Sequence, residues 1–475
     1  MIDRREILDM ATQMSLNPHV VEKDYVLGWM LAGIASHPIL RETWVFKGGT
    51  CLKKCYFETY RFSEDLDFTL TDPEQIDETF LKAAIAEIGA WIYEQAGIEI
   101  PTDKQTFDIY QNPRGTISCE GKIKYRGPVS PRDMPGIKLD LTADERLVLP
   151  PVRVPVFHPY TDTPEQGIDV LSYAYEEVFG EKIRALGERT RPRDLYDVVN
   201  LFRNDDARPP AAVLFDVLAK KCEFKGIKVP TLADLEPHRQ ELMGLWSSML
   251  KHQLPILPPY ESFWNELPSF FDWINGGAAP QIPAAYANGG NETVLRGRNL
   301  RLPVSGGTQA MVEIIRFGAA NRLLVELDYQ GSTRRIEPYS LRKASDGHII
   351  LHALREGSGE HRSYRLDRMQ GARVTDQSFV PKYEIELTPK GPVSIVQLPA
   401  RATAFPVLAK PARALRGHTS LRKKASRDLI ANPTHTYQCP MCSKKFKRDQ
   451  YNAKLNAHKN QWGQPCSGRT GFLVS

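Results

Sequence analysis

Apolar residues recur every three or four positions over residues 1–40, the spacing of helices with one buried face. Residues 43–70 change pattern: an apolar strand-like run (Trp44 to Phe46), a Gly48-Gly49-Thr50 turn, a helix-like stretch, then a second strand through Asp65-Leu66-Asp67-Phe68. Residues 77–97 predict an amphipathic helix closed by Gly97. Short strand-like runs follow at Ile117, Ile123 to Tyr125, Ile137 to Leu141 and Val152 to Phe157, separated by prolines. Helical spacing returns over 172–204, with a break at Arg191-Pro192, and over 208–275, where Trp and Leu are frequent.

A Gly-, Pro-, Ala- and Asn-rich stretch at 276–308 reads as a linker. Residues 309–388 then turn to short strands and tight turns, which fits a leading helix and a small β-barrel. Residues 389–433, poor in aromatics and rich in Pro, Ala and Arg, read as a second, basic linker, and 434–475 as a last small module. There is no internal repeat. The 475 residues are too many for one ordinary core. The expected class is α+β: a domain over 1–275 with a helical second part, a β-barrel over 309–388 and a terminal module over 434–475.

Composition adds little to that picture, because 41% hydrophobic and 25% charged residues are ordinary for a globular chain. No apolar run approaches the ~18 residues of a membrane helix, and the N-terminus lacks a signal-peptide core. A cytoplasmic protein with no membrane partner is expected. Charge placement says more. Residues 401–475 carry 15 Lys and Arg against Asp428 and Asp449, a net +13, which leaves about −8 on the rest of a chain whose total is +5. A basic appendage on an acidic body points to nucleic acid; a solvated, solubilising linker is the plainer alternative. Of seven cysteines, Cys51, Cys55, Cys119 and Cys222 are scattered and read as buried, idle thiols.

The chemistry concentrates around Asp65 and Asp67. On a strand, residues i and i+2 share a face, so both carboxylates enter one space. They repel unless a cation lies between them, and hard carboxylate oxygens suit Mg²⁺ or Mn²⁺. The Gly48-Gly49-Thr50 turn offers backbone N–H groups to phosphate oxygens. An Asp-X-Asp pair alone is more often a solvated turn; the glycine turn upstream is what raises it.

These residues resemble the AbiEii/AbiGii toxins of type IV toxin–antitoxin systems, a branch of the DNA polymerase β nucleotidyltransferase superfamily. The likeness is carried by blocks in order: Glu22-Lys23-Asp24-Tyr25-Val26-Leu27; Phe46 to Leu52 with Arg61 to Phe68; Ile137-Lys138-Leu139-Asp140-Leu141; and Tyr175 to Leu186 followed by Arg193-Asp194-Leu195-Tyr196-Asp197. The resemblance implies a polymerase β-like domain over 1–275. It implies catalytic roles for Asp65, Asp67, Asp140, Lys182 and Asp194, with Asp65, Asp67 and Asp140 holding the metal and Asp140 taking the proton of the attacking hydroxyl. NTP contacts fall to Lys47, Gly48, Gly49, Thr50, Ser63, Lys182 and Arg193. The plainer alternatives are a helix–helix ion pair for Lys182 and Asp194, and capping or packing for Glu22, Lys23 and Asp24.

Two further modules have their own signatures. Val325 to Tyr329, Arg335 to Pro338, Gly347 to Leu351 and Arg362 to Met369 resemble the WYL domain, an Sm/SH3-like barrel that binds nucleic acid or nucleotides. Ile349-Ile350-Leu351 replaces its naming tripeptide, so aromatic stacking is not expected; Arg362, Arg365 and Arg368 are the candidate ligand-binding residues, or else a solvated edge. In the last module Cys439-Pro440-Met441-Cys442 is followed by His458 and Cys466, a Cys₃His set suited to structural Zn²⁺, with His435 as a rival ligand and a helix expected between Lys447 and His458.

The functional expectation is a metal-dependent nucleotidyltransferase toxin. By resemblance its NTP-derived nucleotide goes to RNA, tRNA 3′ ends first, in toxin–antitoxin or phage defence, with an antitoxin protein as partner. Two rivals stand beside it: a regulator that senses DNA or a nucleotide through its C-terminal half, and an enzyme that modifies a protein.

Overall fold

The computed structural model describes residues 2–57, 61–112, 114–129, 134–280 and 306–387, with short pieces at 282–283, 292–295 and between 435 and 473. The expected linker 389–433 and most of 281–305 lie outside the described residues. Contacts divide the chain into two compact units, Met1–Gln397 and Leu398–Ser475. Among the described residues no helix is long and apolar enough to cross a membrane.

The N-terminal part of the first unit is built on seven strands: β1 (Trp44–Lys47), β2 (Asp65–Leu70), β3 (Thr106–Gln111), β4 (Ile117–Lys124), β5 (Gly136–Thr142), β6 (Val152–Pro155) and β7 (Asp169–Ser172). They form one mixed sheet in the order β3-β4-β5-β2-β1-β7-β6. The β2–β5 and β1–β7 pairs are parallel and the other pairs antiparallel. Alternation decides what each face does. Leu66, Phe68, Ile137, Leu139 and Leu141 are buried, whereas Asp65, Asp67, Lys138 and Asp140 keep solvent access on the other side. Helices Pro18–Ser36 and Glu78–Ala96 pack closely, since a Cβ on Gly33 would lie 2.5 Å from the Ile88 side chain. The second helix starts at Asp77, whose carboxylate accepts the Phe80 N–H, and stops as expected at Gly97, which adopts φ +70°.

His158 is the costly residue of this core. It lies against Tyr25, Trp29 and Tyr160, and neither ring nitrogen finds a hydrogen-bond partner among the described residues. A Cβ on Gly28 would fall 2.0 Å from its Nδ1. Burial, reinforced by the Lys54 charge and opposed by Asp24, pushes its pKa down to about 3. A depressed histidine favours the fold above the unfolded value of about 6.5, and that support is lost as pH falls toward 3. The parent should therefore lose about 2 kcal/mol more than His158→Leu between pH 7.5 and pH 5. Equal losses in thermal midpoint for the two proteins would contradict this account.

Helices Tyr175–Arg189, Pro192–Arg203, Ala211–Lys225 and Arg239–Leu250 make the second, helical part, with a break at Thr190-Arg191, one residue before the expected Arg191-Pro192. Beyond it come β8 (Thr293–Val294) and helix Gly306–Ala320, which leads into β9 (Leu323–Tyr329), β10 (Ser332–Lys343), β11 (Ile349–Arg355), β12 (His361–Arg365) and β13 (Met369–Ser378). Their order is β12-β11-β10-β9-β13, with β8 on β10. Among the described residues β12 and β13 stand at the two ends of this path. β10 runs straight through Pro338, a residue that ordinarily ends a central strand. The register shifts between Pro338 and Ser340, and a bulge is where a residue without N–H is tolerated. This sheet touches the helical part directly. The Tyr196 hydroxyl donates to Asn321 Oδ1 at 2.8 Å, and Arg322 pairs with Glu266.

The C-terminal unit contains β14 (His435–Gln438), β15 (Lys445–Arg448) and β16 (Phe472–Leu473) in the order β15-β14-β16. Of the helix expected between Lys447 and His458, Lys447 and Arg448 belong to β15 and Lys454 bridges to Thr470; residues 449–453 lie outside the described residues.

Candidate active site

β1 ends in a turn that only glycine serves. Gly48 adopts φ +82°, and a Cβ there would lie 2.1 Å from Asp67 Oδ2. A Cβ on Gly49 would meet Arg61 Nη2 at 2.8 Å and Ser63 Oγ at 3.2 Å. The turn is tied to β2 by Thr50, whose hydroxyl donates to the Asp65 carbonyl at 2.5 Å. Thr50 is buried, so its side chain holds the backbone and only its N–H remains for a ligand.

Strand register then aligns the carboxylates. Asp67 stands opposite Asp140 on β5 and opposite Lys47 on β1, and Asp65 stands opposite Lys138. On β4, Glu120 faces Asp140, and on β3, Asp108 faces Glu120. A row Lys47–Asp67–Asp140–Glu120–Asp108 thus crosses five strands. Lys138 is the cation in its midst, with Nζ 3.1 Å from Asp140 Oδ1 and 3.5 Å from Glu120 Oε1. Lys47 also reaches Glu145 at 3.7 Å. Burial, then the charges of Asp140 and Asp65, push Asp67 up to about 6, against Lys47 and Lys182. Asp140 is raised by burial, with Glu120 and Asp65 adding and Lys138 opposing. Carboxylates held this way gain from a divalent cation. The oxygens of Asp65, Asp67 and Asp140 share a face without closing to mutual ligand distance. Among the described residues the one trio within 4.8 Å is Cys439, His458 and Cys466.

Behind the glycine turn lies a buried ionic network. Arg61 grips Asp197 with Nε at 2.7 Å and Nη2 at 2.9 Å, while its Nη1 donates to Gln253 Oε1 at 3.0 Å. Lys182 Nζ is 2.6 Å from Asp197 and 3.9 Å from Asp194. Asp194 is held chiefly by Arg189, at 2.7 and 2.8 Å. The sequence reading paired Lys182 with Asp194; the structure gives Asp197 the nearer place and adds Arg61, whose charge keeps Asp197 well below the usual carboxylate range. Arg193 donates to the Met249 carbonyl at 3.3 Å and feels Asp65 and Glu64. Glu22, Lys23 and Asp24 support rather than line the site, through the Val129 N–H, Glu64 and Lys54 respectively.

The model of the family "Nucleotidyl transferase AbiEii toxin, Type IV TA system" matches residues 29–275, more than half of the 475 residues. The chain belongs to the AbiEii nucleotidyltransferase toxins. It is therefore a nucleotidyltransferase enzyme, and the carboxylate row and glycine turn lie inside the matched region. The WYL domain model matches residues 310–374. Among solved structures the toxin resembles MenT4, a nucleotidyltransferase toxin of Mycobacterium tuberculosis H37Rv, at 16% identity and a TM-score of 0.37, over 59% of this chain and 91% of that one. It also resembles the proteasome accessory factor B/C of Arthrobacter aurescens, at 12% identity and a TM-score of 0.15, over 78% of this chain and 74% of that one. Likenesses this loose carry no argument about the toxin. No curated protein matches it.

In the WYL domain the three arginines do not form one surface. Arg362 and Arg365 lie three apart on β12, and Arg368 sits on the following turn. Arg362 pairs with Glu360 and Arg365 with Asp367, both at 2.7 Å. Such exposed pairs are worth little. At the C-terminus Cys439, His458 and Cys466 come together, while Cys442 and the His435 side chain lie outside the described residues.

Proposed function

We propose that the toxin transfers a nucleotide from an NTP to the 3′ end of an RNA, with tRNA as the acceptor, in a Mg²⁺- or Mn²⁺-dependent reaction. The observation that carries this reading is the side-by-side register of Asp67 and Asp140, with Asp65 on the same face, next to the Gly48-Gly49 turn. Asp65, Asp67 and Asp140 would hold the divalent metal, which when bound offsets triphosphate charge. Backbone N–H groups of Gly48, Gly49 and Thr50, with Ser63, receive the terminal phosphates, and Lys47, Lys182 and Arg193 offset their charge. Asp140, raised in pKa, accepts the proton of the acceptor hydroxyl. The hydroxyl oxygen then bonds to the α-phosphorus and pyrophosphate leaves. A separate antitoxin restrains the enzyme, and the WYL domain and basic tail bring it to nucleic acid.

Labelled NTPs, Mg²⁺ and total RNA test this. Label should appear in RNA and vanish with Asp65→Ala. Label in protein instead would favour a protein acceptor, and label in neither would leave a nucleic-acid-sensing regulator as the better reading.

A further inference from the structure

Among the described residues of the C-terminal unit the buried core is Tyr437, Leu455, Cys439 and Cys466, with Phe446 packed against them. A core of that size does not hold a chain together without a staple. The polar geometry supplies the outline of one. The Cys439 N–H donates to the Lys444 carbonyl at 2.9 Å, which ties the end of β14 to the start of β15. The Cys466 N–H donates to the His458 carbonyl at 2.9 Å, which brings the distant half of the unit to the same place. One ligand atom from each of Cys439, His458 and Cys466 then lies within 4.8 Å of the other two.

The distances favour a metal over a covalent bridge. Two sulfurs each about 2.3 Å from a tetrahedral Zn²⁺ stand roughly 3.8 Å apart. Cys439 Sγ and Cys466 Sγ are 3.7 Å apart. A disulfide would bring them to about 2.0 Å. The histidine is prepared as well. Its Nδ1 faces the Asn456 carbonyl at 2.9 Å, a contact of the kind that orients a ligating imidazole, and its ring lies edge-on to Phe446.

We propose that Cys439, His458 and Cys466 bind one Zn²⁺ in a closed, structural site, with Cys442, in Cys-X-X-Cys spacing with Cys439, as the fourth ligand assigned by sequence. The metal orders a three-stranded ribbon that carries Lys444, Lys445, Lys447, Arg448 and Lys454. Its role is to fold the basic end of the chain, and it stands independently of the transfer chemistry in the first unit.

The test uses the purified full-length protein. After dialysis, elemental analysis should find about one zinc per chain. Cys466→Ser and Cys442→Ser should each lose most of it, while Cys222→Ser, in the first unit, should keep it. Cobalt exchanged into the site should give visible absorption with a sulfur-to-cobalt charge-transfer band, absent in Cys439→Ser. Chelation should expose the last 40 residues to limited proteolysis and leave the first unit intact. The proposal is overturned if the parent holds no more zinc than Cys466→Ser. It is equally overturned if Cys439 and Cys466 are recovered as a disulfide without metal, or if Cys442→Ser retains full zinc and an unchanged cobalt spectrum.

Discussion

Asp67→Asn should melt higher than the parent in metal-free buffer at pH 7.5 and transfer no measurable nucleotide. The two effects have one cause. Asp67 is pushed up to about 6 because burial and the neighbouring Asp140 and Asp65 oppose its ionisation. A carboxyl raised above its unfolded value of 3.8 favours the fold while protonated, and that support is lost as pH rises through about 6. At neutral pH the fold carries an ionised Asp67 at a cost of roughly 1–3 kcal/mol, discounted for its partial exposure. The amide removes the cost and with it a metal ligand, so turnover should fall about 10³-fold or more. The gain in melting temperature should be small at pH 4.5 and full at pH 7.5. Mg²⁺ should raise the parent and hardly move the variant, since only the parent binds it well. A variant that melts below the parent at pH 7.5 without metal would show that Asp67 is a structural residue.

Much of this site can be read along the chain because its main parts are local. Glycine after an apolar strand, then Asp-X-Asp on the next, needs no tertiary information beyond strand alternation. Glu120 and Lys138 are different. Their membership depends on β4 and β5 pairing in one register, and no local pattern fixes that. The exchange of Asp194 for Asp197 has a similar origin. Both lie on one flank of helix Pro192–Arg203, and the choice is made by Arg61, 136 residues away, and by Arg189. Strand β3 escaped notice because almost all its residues are exposed, so no apolar alternation marks it. The full length of β10 is hidden from the sequence because its proline sits on a bulge that only the partner strand reveals. The arginines of β12 are legible from strand geometry alone. A spacing of three on a strand already sends Arg362 and Arg365 to opposite faces.

The largest stability effect should come from the network behind the turn. Asp197→Ala is expected to cost about 3–5 kcal/mol, because it leaves the buried cations Arg61 and Lys182 without their shared carboxylate. Arg61→Met alone should cost less, since Lys182 still pairs with Asp197 at 2.6 Å. The double variant Arg61→Met/Asp197→Ala removes both charges of the bidentate pair, and Lys182 retains Asp194 at 3.9 Å. It should recover a large part of the stability lost by Asp197→Ala, a coupling of about 1–3 kcal/mol in a double-mutant cycle. Activity should not return with it. Arg61 Nη2 lies directly against Gly49, and without that guanidinium the turn loses the charge and the wall that fix it beside Asp67. Chemical denaturation and turnover on the same four proteins separate the two roles. If Asp197→Ala lies within 1 kcal/mol of the parent, the buried network is not a stability element. If the double variant turns over like the parent, the network does not position the glycine turn.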